Sequence, residues 1–311
     1  MKLENILFTG KIYKELSQLV PLKLQGKQLR FLSENNVTEK DLDWADAFVA
    51  FQPTRQFHFR HVKWVHALGA GVDRYLELPA WPADVLLTRT ITSFGQKIGE
   101  YVLSYMLQNL QHHQRYADLQ QQKEWKVVPP VSLAEKRVII YGTGEIGQEV
   151  ARMLSYFGVC VYGVSLSGGA KPHFKQNRTL SDVDDALLHE VDYVINTLPL
   201  TKETSHFYNE AFFAKLNGAV FINVGRGKSV ATESLLRALD NENVARAVLD
   251  VFDEEPLASS SALWTHPNIT ITPHISAITT PEEAVTCFLD TLEKIEAGEP
   301  LTNRVDVKKG Y

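Results

Sequence analysis

Three side chains suited to chemistry stand after successive apolar runs late in this 311-residue chain: Arg226, Glu255 and His274. Histidine has an ordinary pKa of about 6.5, so it gives or takes a proton near neutral pH. A carboxylate on its far ring nitrogen fixes the tautomer and stabilises the imidazolium. A guanidinium grips a substrate carboxylate through parallel hydrogen bonds. A carbonyl that accepts hydride becomes an alkoxide and needs such a proton donor beside it. Each residue also has a plain reading. Arg226 braces a turn, Glu255 is a solvated acid in Asp253-Glu254-Glu255-Pro256, and His274 ends a strand. The occurrence of all three at strand ends favours the chemical reading.

These residues need a frame, and residues 138–158 (VIIYGTGEIGQEVARMLSYFG) supply its centre. The run 138–141 is a short buried strand. Gly142, Gly144 and Gly147 follow at the spacing G-x-G-x-x-G. Ile146, Val150, Ala151 and Leu154 then lay an apolar stripe on a helix. Strand, glycine turn and helix together are the context a dinucleotide cradle requires. Gly142 permits the tight turn, Gly144 lets backbone approach a pyrophosphate, and Gly147 lets the helix pack close to the strand. The helix N-terminus offers N–H groups to phosphates.

The next strand, 160–164, should end near an Asp or Glu that binds the cofactor ribose in an NAD site. The sequence there is Ser165-Leu166-Ser167-Gly168-Gly169, with no acid. Missing negative charge removes a repulsion against a 2′-phosphate, and Ser165 and Ser167 can donate to one. NADP is therefore favoured slightly over NAD. The nearest bases in sequence are Lys171 and, farther on, Arg178.

Further elements follow in order. Ser181 and Asp184 read as a capping box on a helix through Leu188. Strands are expected at 191–196, 219–222, 244–249 and 269–272, with helices at 209–215, 232–241 and 280–297. Asn209 and Thr280 are the expected caps of the first and last of these helices. Before the glycine turn, 5–9, 47–51 and 64–68 read as strands of a small α/β domain. The last of them enters Gly69-Ala70-Gly71, whose N–H groups can cradle an anion. Residues 79–95 read as irregular. A long helix starts near Gln96 with a wide apolar face, continues as a polar stretch, and needs a large partner surface.

Net charge is −5 with no basic block, so a nucleic-acid partner is not indicated. No run approaches the roughly 20 apolar residues of a membrane span, and no secretory signal is evident, so a cytoplasmic location is expected. Cys160 and Cys287 read as buried thiols in a reducing compartment. His112 and His113 cannot share a helix face, and no metal site is expected.

The chain resembles the D-isomer-specific 2-hydroxyacid dehydrogenase family, near its glyoxylate/hydroxypyruvate reductase members. The matching stretches are LGAGVD at 68–73, GTGEIGQEVA at 142–151, TLPLT at 197–201, FINVGRG at 221–227, LDVFDEEPL at 249–257 and TPHIS at 272–276. The resemblance implies two Rossmann-like α/β domains with the active site in the cleft between them. The cofactor domain is a doubly wound parallel sheet at 96–281. The smaller flavodoxin-like substrate domain is 1–95, completed by 282–311. It implies that Arg226 binds the 2-oxo acid and that Glu255 partners His274, the general acid in reduction and base in oxidation. Ala70 and Gly71 would offer backbone to the substrate carboxylate. Gly142, Thr143, Gly144, Glu145, Ile146, Gly147, Ser165, Ser167, Thr197, Leu198, Pro199, Val224, Gly225 and Asp250 would hold the cofactor, with Asp250 at the nicotinamide carboxamide. The long helix resembles the family's dimerisation region, which implies a homodimer. The alternatives are an NAD(P)-sensing or corepressor-like binding protein, and a formate or phosphonate dehydrogenase of the same superfamily. A sensor needs no proton relay, and related formate enzymes resemble this pattern with glutamine in the place of Glu255.

Overall fold

The computed structural model describes residues 1–309. The chain divides into two units, Met1–Thr92 with the segment from Thr279, and Ser93–Ile278.

The first unit contains β1 (Asn5–Thr9), α1 (Tyr13–Lys23), β2 (Gln28–Leu32), α2 (Glu39–Trp44), β3 (Ala47–Ala50), β4 (Trp64–Ala67), α3 (Asp73–Leu76) and β5 (Leu86–Arg89). Its strands are all parallel, in the order β2-β1-β3-β4-β5. This is the flavodoxin-like order. Parallel strands buried on both faces read as continuous apolar runs, and β3 and β4 are buried along their whole length.

The second unit opens with α4 (Phe94–Leu110) and α5 (His113–Gln122). It continues through β6 (Arg137–Tyr141), α6 (Glu145–Tyr156), β7 (Cys160–Val164), β8 (Gln176–Arg178), α7 (Asp185–Glu190), β9 (Tyr193–Asn196), α8 (Glu210–Phe213), β10 (Ala219–Asn223), α9 (Thr232–Asp240), β11 (Val244–Leu249) and β12 (Ile269–Ile271). Its parallel sheet has the order β12-β11-β10-β9-β6-β7-β8. The strand order reverses between β6 and β9, and open α/β sheets bind ligands at such a switch point. One apolar cluster, with Tyr141, Phe213, Phe221 and Leu249, covers one face of the sheet. Another, with Val102, Met106, Val150 and Leu154, covers the other.

α10 (Pro281–Ala297) returns to the first unit. Its start is as expected: Thr280 Oγ1 accepts from Glu283 N–H, and the Glu283 carboxylate accepts from Thr280 N–H. Phe288 of α10 stacks on Trp64 with ring centroids 5.3 Å apart, which ties this helix to the first sheet.

Several expectations are corrected. Residues 79–95 are not irregular throughout, because they contain β5. That strand is only four residues long and lies close behind Pro79 and Pro82, so its apolar signal is short. The long helix is two helices. His112 takes φ 57 in left-handed space, and the chain restarts as α5. The wide apolar face of α4 meets α6 of its own unit, where Gly95 and Gly99 make room for Glu149 and Met153. β8 escaped notice because Gln176-Asn177-Arg178 is a polar edge strand. The capping box at Ser181 does not form. Asp184 alone caps α7, accepting from Leu187 N–H at 2.7 Å. Asn209 caps α8, which ends at Phe213, short of Lys215. Both cysteines are half-buried rather than buried. Among the described residues no helix is long and apolar enough to cross a membrane.

Candidate active site

The glycine turn after β6 lies at the switch point, beside the loop that follows β9. Gly142 has φ +100, where a side chain would be strained. A Cβ on Gly147 would lie 1.8 Å from the Gly142 carbonyl oxygen, so only glycine allows α6 to sit this close. Thr197, at the end of β9, clasps the turn by donating to the carbonyls of Tyr141 and Gly142 at 3.0 and 2.9 Å. A Cβ on Gly144 would enter open space, and Gly144 is the N-cap of α6. Exposed Gly144 and Glu145, half-buried Ile146 and buried Thr143 line this turn. An open cradle at a helix N-terminus suits a pyrophosphate.

β7 ends at Val164 and is followed by Ser165, whose Oγ is buried without a hydrogen-bond partner. β8 pairs with β7, so Ser165 N–H donates to the Arg178 carbonyl at 3.0 Å. An arginine thirteen residues on is thereby brought beside the serine, which sequence distance concealed. Its guanidinium donates to Asp184 Oδ2 at 2.5 Å and to the Asp182 carbonyl at 3.1 Å. Ser167 is exposed. An unpartnered hydroxyl with no acid in the segment that follows β7 fits the adenosine ribose of NADP at least as well as that of NAD, and Arg178, beside it through the backbone, is already paired with Asp184.

β10 ends at Asn223, and the chain turns through Val224, Gly225 and Arg226. A buried network holds this turn. Asn196 Nδ2 donates to Asn223 Oδ1 at 2.8 Å and to Ser229 Oγ at 2.9 Å. Tyr208 donates to Asn196 Oδ1 at 3.1 Å. Ser229 Oγ and Asn223 Nδ2 both donate to the Arg226 carbonyl, at 2.6 and 3.2 Å. All four of these side chains are buried, and buried polar groups persist only when paired. The network therefore fixes the Arg226 backbone, while its half-buried guanidinium donates to the Gly225 carbonyl at 2.7 Å. Gly227 completes the arrangement. A Cβ there would lie 1.8 Å from the Phe252 carbonyl carbon, so the arginine loop runs directly against the loop that carries Glu255.

His274 Nδ1 lies 2.8 Å from Glu255 Oε2. The other carboxylate oxygen accepts from Phe252 N–H at 3.0 Å. Partial burial works against the Glu255 charge. The His274 ring, the Phe252 N–H and the nearby Arg226 charge overcome it and hold the carboxyl below its ordinary value. Glu255 is thus ionised at neutral pH, and His274 Nδ1 is the donor to it. Nε2 is left as the atom that exchanges a proton. The His274 side chain is 53% exposed, so this edge is accessible. His274 has φ 56, a conformation that costs a non-glycine residue about 1–2 kcal/mol. The loop must compensate that strain.

The structure thus brings Arg226, Glu255 and His274 together, and groups the glycine turn with Thr197, Leu198 and Pro199. Val224 and Gly225 lie in the turn before Arg226 and are buried. Asp250 is fully buried, with both carboxylate oxygens accepting protein hydrogen bonds. Ala70 and Gly71 belong to the first unit, in the loop after β4, where the Ala70 carbonyl accepts from Arg89 at 3.3 Å. Sequence reading assigns no role to Asn196, Asn223 or Ser229, and gives Arg178 only as a base at some distance. The two asparagines are visible as polar residues closing apolar runs, whereas Ser229 carries no local signal. Among the described residues no group of acids, cysteines or histidines is arranged to hold a metal ion.

A dinucleotide cradle and a histidine–carboxylate pair at the strand ends of one sheet are the equipment of an oxidoreductase that couples hydride to proton transfer. Comparison with known proteins defines it further. The family model described as "D-isomer specific 2-hydroxyacid dehydrogenase, NAD binding domain" matches residues 103–276. Glyoxylate/hydroxypyruvate reductase A of Serratia proteamaculans is 38% identical over 257 residues, covering 80% of this chain and 82% of that one. A D-isomer-specific 2-hydroxyacid dehydrogenase from Xanthobacter autotrophicus, solved with NADPH and MES, superposes with a TM-score of 0.89 at 30% identity over the full length of both chains. An NADPH-dependent glyoxylate/hydroxypyruvate reductase from Sinorhizobium meliloti, solved with NADP and sulfate, gives 0.87 at 31% identity, again over both full lengths. The chain belongs to the D-isomer-specific 2-hydroxyacid dehydrogenase family. It is an NAD(P)-binding oxidoreductase that acts on 2-oxo and 2-hydroxy acids.

Proposed function

We propose that the chain reduces small 2-oxo acids such as glyoxylate, hydroxypyruvate or pyruvate, and returns the D-hydroxy acid where a stereocentre forms. The observation that carries the chemistry is the 2.8 Å contact between His274 Nδ1 and Glu255, next to Arg226. A bound reduced nicotinamide supplies the hydride to the carbonyl carbon. Arg226 binds the substrate carboxylate with its planar fork. His274 Nε2 gives its proton to the carbonyl oxygen as negative charge develops there, and Glu255 stabilises the imidazolium beforehand. In oxidation the neutral ring takes the hydroxyl proton back. The loops at 142–147, 197–199 and 224–225 hold the cofactor in this reading. The small-substrate assignment is supported by the reductases named above. A panel of 2-oxo acids assayed with both cofactors tests it. Preference for a bulky branched or aromatic acid removes the small-substrate reading.

NADPH is proposed to be used at least as well as NADH, supported by Ser165, by Arg178 beside it, and by the NADPH- and NADP-bound relatives. Ser165→Asp places a negative charge at the ribose and is expected to lower kcat/KM for NADPH by about tenfold or more relative to NADH. A wild-type kcat/KM clearly higher for NADH rejects the serine reading.

A homodimer is the proposed assembly. Trp125 is fully exposed at 101% and Val127 at 78%, in the segment after α5. Exposed apolar groups of this size suit a partner surface, and the family resemblance points to a second copy. Sedimentation at micromolar concentration reads the state, and a monomer there removes this part of the proposal.

A further inference from the structure

The loop that carries His274 is held from behind. Past β12 the backbone runs through Thr272 and Pro273 and enters left-handed space at His274. His274 N–H donates to the Asp250 carbonyl at 2.9 Å. The kink then turns the next two N–H groups onto one carboxylate. Ile275 N–H donates to Asp250 Oδ1 at 2.8 Å and Ser276 N–H to Oδ2 at 2.9 Å. Asp250 is fully buried, so its charge depends on such donors. Thr272 Oγ1 supplies another, 2.5 Å from Oδ1. That contact commits the Thr272 hydroxyl proton. Tyr101 Oη lies 2.6 Å from the same Thr272 oxygen and must therefore donate to it. The order Tyr101 to Thr272 to Asp250 is thereby directed, and it links α4 to the histidine loop.

We propose that Tyr101 and Thr272 are positioning residues for His274, acting through the Asp250 carboxylate. The proposal rests on His274 being the proton donor. The carboxylate must present one oxygen to each of two adjacent N–H groups while the backbone holds a strained turn. The Thr272 hydroxyl fixes its rotation, and Tyr101 fixes the Thr272 hydroxyl. Without that restraint the carboxylate turns, one N–H loses its acceptor, and the imidazole shifts against Glu255. Proton transfer is sensitive to displacements of about an ångström.

Thr272→Val keeps the side-chain shape and removes the hydroxyl. It is expected to lower kcat for reduction by about tenfold or more, while KM for the 2-oxo acid changes much less. Thr272→Ser restores the hydroxyl and should recover most of the lost kcat. Tyr101→Phe should lower kcat in the same direction by a smaller factor. In a His274→Ala background Thr272→Val should cause no further loss, because the two changes act on one step. Wild-type kcat in Thr272→Val overturns the inference. So does an equal loss in the Val and Ser variants that follows the folded fraction in thermal melts. An active His274→Ala enzyme instead removes the proton-donor reading, and this inference with it.

Discussion

His274→Ala is expected to lower kcat for reduction by about 10²–10⁴-fold, the usual contribution of a positioned general acid. Cofactor affinity should barely change, because the glycine cradle and the histidine loop are separate parts of the sheet edge. Backbone conformation complicates this variant. His274 has φ 56, where alanine is more strained than histidine. His274→Asn is the better-matched companion, since asparagine enters left-handed space readily and cannot act as the acid. Both variants should lose activity, and the Asn variant should melt close to wild type. Glu255→Gln completes the assignment. Protonated His274 is the form that donates, so reduction is present at low pH and lost as pH rises. Against partial burial, the His274 ring, the Phe252 N–H and the Arg226 charge hold the Glu255 carboxyl below its ordinary value, so it is ionised beside the ring. Removing its charge should move the basic limb of the kcat/KM profile to lower pH. A folded His274→Asn enzyme with near wild-type kcat, or an unmoved limb in Glu255→Gln, would sink the relay.

Legibility in the sequence followed the kind of signal each feature carries. β6 and α6 were readable because an apolar run, a glycine spacing and a helical stripe coincide within 138–158, and each constrains the others. β10 was readable because Ala219 to Ile222 is one buried apolar run, and β11 because Ala247, Val248 and Leu249 form another. β8 was not, since an edge strand with only Gln176, Asn177 and Arg178 has no apolar face to display. Its omission hid the approach of Arg178 to Ser165, which depends on register and not on sequence distance. The break at His112 was hidden for another reason. A left-handed residue between two helices leaves composition unchanged, and nothing in Gln111-His112-His113 requires it.

The candidate site divides in the same way. Arg226, Glu255 and His274 were legible because each is an ionisable residue in the loop that follows an apolar strand, where the change from apolar to charged is conspicuous. What holds them was less legible. The Asn196, Asn223, Ser229 and Tyr208 network is made of uncharged residues contributed by separate elements, and its members meet only in the folded sheet. The proximity of the Arg226 and Glu255 loops depends on Gly227 lying against Phe252, a close approach that sequence motifs mark as glycine without naming its partner.

That backbone network gives Arg226 a clean test and a large expected effect. Asn223 and Ser229 grip the Arg226 carbonyl, so replacing the side chain leaves those two bonds in place, although its own bond to the Gly225 carbonyl at 2.7 Å is lost. Arg226→Ala should remove both the carboxylate grip and the positive charge near the developing alkoxide. A loss in kcat/KM of about 10³-fold or more is expected, with kcat itself falling because loss of a charge-stabilising donor typically costs about 10²–10³. Arg226→Lys keeps the charge but not the planar fork, so its main effect should be a raised KM, by about tenfold or more. Substrate chemistry separates this role from a bracing one. Wild type should strongly prefer a 2-oxo acid over the matching 2-oxo amide, which has no carboxylate to grip. Arg226→Ala should lose most of that preference while NADPH binding and melting temperature stay near wild type. If the preference survives in a well-folded Arg226→Ala enzyme, the carboxylate is held elsewhere and Arg226 only braces its loop.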